Sequence, residues 1–276
     1  MTNLIIVLIP IVLILIIHLI LKKRKRVKRK RREFISSQEF PKEWERILKK
    51  RFYLYNFLPI NLQEQLKKHI MIFIDEKKFI GHNGVIIDDE VKVTIASQAS
   101  MLLLNKKTDY YPRLETIELY PEAFFSKIPD KHGIFKRVAR TGESWLNGRI
   151  ILSWRHSKQE ISKHRDGSNV VMHEFAHRFD QKDNSVDGIP TRILEDGQHQ
   201  VFYKIISKAY KKHLKKMKKG DKLLISRYGG TNMAEFFAVY TEIFFEKGKQ
   251  LRKKEPKLYK ILKDFYKVDP AMWKIK

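Results

Sequence analysis

In the segment Asn169–Asp180, NVVMHEFAHRFD, two histidines stand four residues apart, His173 and His177, with Glu174 directly after the first. On a helix, positions i and i+4 share one face a turn apart, so both imidazoles can reach a single metal ion. A bound zinc ion lowers the pKa of its water to about 7, and Glu174 is placed to take that water's proton as it attacks a carbonyl. No other histidines among the ten have this spacing. The remaining residues Val170, Val171, Phe175, Ala176 and Phe179 are apolar, which suits a helix buried at a domain centre.

A catalytic zinc needs a third protein ligand and one open position. The long pattern H-E-x-x-H-x-x-G-x-x-H is absent, since Asp180 stands where its glycine would be and Asp183 where its last histidine would be. Asp183 is one candidate ligand, and Glu195 in RILEDG is a second. Glu235 in YGGTNMAEFFAV is the third, one turn inside a helix that Thr231 or Asn232 can cap. Its neighbours Phe236, Phe237 and Val239 are apolar, and a carboxylate among them needs a partner such as a metal. With no cysteine in the chain, any zinc must be held by histidine and carboxylate, and disulfides and thiol nucleophiles are excluded.

HEFAH together with YGGTNMAEFFAV resembles the MtfA-like zinc metallopeptidases, and both blocks are similar to the metalloprotease domain of anthrax lethal factor. The MtfA-like resemblance extends to FIGHNGVIIDDEVKVTIASQASMLLL (79–104), GESWLNGRIILSW (142–154) and DGSNVVMHEFAHRFD (166–180), and so covers most of residues 40–270. It implies a zincin-like domain holding one zinc ion through His173, His177 and Glu235, with Glu174 as general base. It also implies that Tyr228 donates a hydrogen bond to the oxyanion that develops during attack. The substrate implied is a peptide or protein, and a transcriptional regulator is implied as a partner. A rival expectation is therefore a binding module that captures such a regulator and cleaves little. Two further expectations concern the surroundings. Asp180, three residues after His177, either orients a ligand imidazole or only caps the helix end. The strand Gly148–Trp154 is expected as the edge that aligns an extended peptide, and Trp145 and Trp154 as core residues.

The elements that position these residues follow from the patterning. Apolar residues recur at helical spacing over 42–53, 60–78, 88–105, 168–182, 197–219, 232–247 and 256–266. FIGHNG (79–84) reads as a turn, and strands are expected at Leu114–Tyr120 and Gly148–Trp154. The class is α+β: a mainly helical domain over 41–276 with a small antiparallel sheet.

Ahead of it lies an 18-residue apolar run, Leu4–Leu21, roughly 27 Å long as a helix and close to the thickness of a bilayer's hydrocarbon. Ten basic residues follow within 22–32. That order predicts a single transmembrane anchor over 1–21, N-terminus out and domain in the cytoplasm, with a basic segment and linker over 22–40. The same partition ranks last a nucleic-acid reading of the net charge of +26. The excess sits in 22–32 and in two lysine-rich stretches, 204–222 and 247–263, while the rest is nearly neutral and carries no recognised nucleic-acid-binding motif.

Overall fold

The computed structural model describes the backbone of residues 2–106, 108–129, 135–145, 147–162, 166–180 and 198–273. It describes their side chains except for 2–11, 127–129, 135–138, 162 and 180. The chain divides into two compact units, Met1–Glu39 and Phe40–Lys276. The first is a single helix, α1 (Thr2–Ser37).

Among the described residues no helix is long and apolar enough to cross a membrane. The described residues therefore do not support the expected transmembrane helix over 1–21, and α1 is one unbroken helix from Thr2 to Ser37.

The second unit is mainly helical. It opens with α2 (Lys42–Arg51), a 3-10 turn (Tyr53–Phe57) and α3 (Ile60–Glu76). Then come β1 (Lys78–Gly81), α4 (Asp89–Met101), β2 (Thr116–Tyr120), β3 (Phe124–Pro129), β4 (Phe135–Arg140), β5 (Gly142–Trp145) and β6 (Arg149–Ser153). Helices α5 (Trp154–Ser162), α6 (Val170–Asp180), α7 (Gln198–Lys219), α8 (Met233–Glu246), α9 (Gly248–Lys254) and α10 (Pro256–Tyr266) complete it. Asp88 caps α4 by accepting from the Val91 amide at 2.8 Å, as the paired aspartates suggest. In α7 the lysines 204, 208, 211 and 215 are exposed while Phe202 and Ile206 are buried, so this basic stretch is a solvated helix face.

The sheet departs from the expected antiparallel form. Its order is β1-β2-β6-β5, with β1 and β6 both parallel to β2 and only β5 antiparallel to β6. The segment read as a turn, FIGHNG, begins with a strand, β1, and the chain returns from it to a parallel neighbour by a crossover through α4, as parallel pairing requires. Between β5 and β6 the chain reverses tightly at Gly148, whose φ of 88° favours glycine. Strands β3 and β4 form a separate antiparallel hairpin.

Alternation gives the sheet two faces. Ile117, Leu119, Ile150 and Leu152 are fully buried on the helix side, while Glu118, Arg149, Ile151, Glu143 and Trp145 lie on the other. Strand β6 is thus interior, and the free edge is β5, which corrects the expectation that 148–154 is the edge. Trp145, expected in the core, is 40% exposed on that edge strand.

Candidate metal centre

Helix α6 is buried on every side from Val170 to Phe179. Phe175 packs 4.9 Å from the Tyr111 ring and 5.6 Å from the Phe73 ring. Val171, Met172 and Phe175 are fully buried and each contributes about 1.5–3 kcal/mol by leaving water, so hydrophobic burial fixes the helix in place. Asn169 caps its N-terminus, its side chain accepting from the Met172 amide at 2.9 Å. Arg178 donates to the Trp145 carbonyl at 2.8 Å and ties the helix to β5. Burial and the nearby Arg113 lower the Arg178 pKa to about 10.

Helix α8 supplies the opposing wall. Asn232 caps it by accepting from the Glu235 amide at 2.9 Å, which sets the one-turn position of Glu235. The ligand atoms of His173, His177 and Glu235 all lie within 4.8 Å of one another. Glu235 Oε2 is 2.8 Å from His173 Nε2 and 3.4 Å from His177 Nε2, and the two Nε2 atoms are 3.2 Å apart. Tetrahedral zinc with bonds of about 2.0–2.1 Å separates its ligands by about 3.3 Å, close to all three distances.

The donor chemistry points the same way. His173 Nδ1 lies 2.7 Å from Glu242 Oε1, an acceptor, so the neutral ring carries its proton on Nδ1. Its Nε2 is then a lone pair facing the Glu235 oxygen and the His177 nitrogen. Such a convergence of acceptors needs a cation. Without a metal that cation is a proton: burial opposes the charged form of His173, but its hydrogen bonds to Glu235 and Glu242 outweigh burial and hold its pKa well above the usual value. Burial likewise works against the Glu235 carboxylate, and the two imidazoles overcome it and keep that pKa well below the carboxylate range. The residues present fit a divalent ion.

Glu242 is a residue that the sequence reading missed. It stands seven positions after Glu235 on the same face of α8 and holds the His173 ring, the kind of bond that was one of two alternatives for Asp180. Its other oxygen accepts the Asn169 amide at 2.5 Å. Glu246, four residues further on, takes the Tyr53 hydroxyl and the Asn169 side chain. The signal was three glutamates at spacings of 7 and 4 in an otherwise apolar helix, AEFFAVYTEIFFE. The Asp180 side chain, and Asp183 and Glu195 as alternative ligands, lie outside the described residues.

Glu174 follows His173 and lines a cleft of about 420 Å³ with Tyr228, Gly142, Arg140 and Glu160. It is 6% exposed, and burial raises its pKa against the pull of His173 and His177, which makes the carboxylate a stronger base. Tyr228, on the 3-10 turn Arg227–Gly230, holds its ring 5.9 Å from the His173 ring. The residue is half exposed; partial desolvation of its hydroxyl and the Glu235 carboxylate raise its pKa, so the hydroxyl stays protonated across the physiological range.

Comparison with known proteins bears out the resemblance. An uncharacterized protein of Synechocystis, slr2042, is 35% identical over 247 residues, 88% of this chain and 90% of its own length. Proteins named Mlc titration factor A from Serratia proteamaculans and Salmonella typhi are 26% and 24% identical, covering 77% and 78% of this chain and 83% of theirs. The model of the glucose-regulated metallo-peptidase M90 family matches residues 24–267, which begin just after the apolar run and take in every residue of the site. A His-His-Glu group with both histidines buried, beside a glutamate-lined cleft, is what a metallopeptidase family requires, and the chain belongs to the glucose-regulated metallo-peptidase M90 family.

Proposed function

We propose that the chain is a zinc-dependent peptidase in which His173, His177 and Glu235 hold the ion and Glu174 is the general base. The observation that carries this reading is the convergence of three ligand atoms within 4.8 Å beside Glu174 in one cleft. When bound, the ion supplies Lewis-acid polarisation of a carbonyl and a water that ionises near neutral pH. Glu174 accepts the proton of the attacking water and passes it to the leaving amine. The protonated Tyr228 hydroxyl donates to the carbonyl oxygen as it gains charge. An extended substrate lies along β5. Thr141 O accepts from Ser153 N at 2.8 Å, so residue 141 bonds inward to β6, and by alternation Gly142 directs its N–H and C=O to the open edge. The test is a peptide library digested by the zinc-loaded protein, with metal content measured on the same sample.

Gly142 is where the strand and the base meet most closely. A Cβ there would stand 2.6 Å from Glu174 Oε1 and 2.7 Å from Val170 Cγ2, closer than real Cβ contacts occur. Gly142→Ala is expected to displace Glu174 and reduce peptide cleavage more than tenfold, with bound zinc unchanged. Overpacking of about 1–3 kcal/mol also lowers the melting temperature by several degrees. Unaltered cleavage would show that the base does not lean on β5.

A second reading is favoured by the name of the Mlc titration factor A relatives. In it the same fold captures a transcriptional regulator and the metal site cleaves little. Zinc-loaded protein without Glu174-dependent cleavage supports this reading instead.

We also propose that the run Leu4–Leu21 holds the protein at a membrane, N-terminus out, with residues 41–276 on the cytoplasmic side. Its support is eighteen apolar residues followed by ten basic ones on the unbroken helix α1. Leu13→Arg with Ile16→Arg costs roughly 5–7 kcal/mol in a bilayer and moves the protein from the membrane fraction to the supernatant. A wild-type protein already in the supernatant refutes the anchor.

A further inference from the structure

The face of the sheet turned away from α6 carries a second groove, of about 580 Å³. Its walls include Tyr120, Phe124, Phe125 and Trp145, and its charged lining residues are Glu122 and Glu143. No lysine or arginine lines it among the described residues, in a chain of net charge +26. Glu122 pairs with Arg155 at 2.9 Å. Glu143 is less well served. Its Oε1 makes only a long ion pair with Arg140 Nε at 3.7 Å, beyond hydrogen-bond reach, and its Oε2 is buried without a hydrogen-bond partner among the described residues. A carboxylate oxygen in that state lacks a donor. The Trp145 ring already takes a guanidinium from within the fold, since Arg149 lies 5.4 Å from its centroid.

The groove and the cleft flank strand β5 on its two faces. Gly142 lines the cleft and Glu143, the next residue of β5, lines the groove. Successive strand residues point to opposite faces, so a peptide added along β5 puts alternate side chains on the groove side. The peptide residue directly opposite Glu143 has its Cβ about 4.5–5.5 Å from that of Glu143, on the same face. A side chain that satisfies a buried carboxylate oxygen and lies against aromatic rings is a cation on an apolar stem.

We propose that this groove is a specificity subsite for a lysine or arginine side chain of a peptide bound along β5, with Glu143 as its counter-charge. The proposal rests on the peptidase reading, whose substrate it narrows to basic peptides. Acidic peptides are disfavoured by the same carboxylate.

The test is binding, which does not require turnover. Zinc-loaded full-length Glu174→Gln protein is titrated with extended peptides in which lysine is scanned through each position and compared with norleucine, which keeps the stem and removes the charge. At one position lysine is expected to bind about tenfold more tightly than norleucine. In the Glu143→Gln, Glu174→Gln protein that ratio falls to about one, with the melting temperature within a few degrees of the parent. A ratio near one at every position, or a preference that survives Glu143→Gln, overturns the subsite and leaves the peptidase reading standing. Failure to bind any peptide overturns both.

Discussion

Glu174→Gln is expected to lower kcat/KM for peptide hydrolysis by about 10²–10⁴, the usual contribution of a general base, while the zinc content stays at the wild-type level. That is about 3–5.5 kcal/mol of transition-state stabilisation. The substitution suits the site because glutamine keeps the shape that lies against Gly142, where an added Cβ would find no room. It also removes a buried charge. Burial is the largest influence on Glu174 and opposes its ionised form, so the amide is expected to fold at least as stably as the wild type. A melting temperature equal to or above wild type, with metal retained and cleavage lost, separates a chemical role from a structural one. Equal cleavage by both proteins would sink the assignment of Glu174 as base. If neither protein cleaves while both hold zinc, the regulator-capturing reading takes its place.

The chemistry was legible in the sequence where it is local. HEFAH places its two imidazoles by helix geometry alone, and Asn232 caps α8 where the pattern put a cap, which fixes Glu235 one turn in. Helix α10 begins with Pro256 at its first turn and runs to Tyr266, matching the periodic segment residue for residue. What escaped was set by distant partners. The strand β1 has four residues and owes its existence to pairing with Thr116–Leu119, so FIGHNG reads as a turn on its own terms. Which strand forms the edge depends on the order of four strands, and the hydrophobic run GRIILSW marks β6 as a strand without saying that β5 lies outside it. Glu242 escaped for the opposite reason: its spacing was visible, but only the packing of α8 on α6 shows that it faces His173. Trp145 misled because a large aromatic suggests a core, whereas on an edge strand it forms part of a groove wall.

The three-ligand arrangement makes a sharper demand on Glu235 than on Glu242, and the difference is measurable. Glu235→Ala removes one of three ligand atoms and the negative charge that partly neutralises a divalent ion. The remaining histidine pair is a two-point site open to water, so stoichiometric zinc is expected to be lost on dialysis against a weak chelator and cleavage with it. Glu242→Gln leaves all three ligands in place. Its carbonyl oxygen can still accept from His173 Nδ1, but the charge that makes the ring a better donor to metal is gone. The loss expected there is ten- to hundredfold in zinc affinity, read by competition with a chromophoric chelator, with cleavage restored at saturating zinc. The order matters more than either value. If Glu235→Ala kept stoichiometric zinc, a ligand outside the described residues, Asp183 or Glu195, would have to complete the site in its place. If Glu242→Gln failed to recover at high zinc, Glu242 would be holding the fold of the α6 N-terminus through Asn169 rather than tuning the metal. An affinity lost and regained in Glu242→Gln, beside one lost outright in Glu235→Ala, is the signature of a carboxylate that positions a ligand next to a carboxylate that is one.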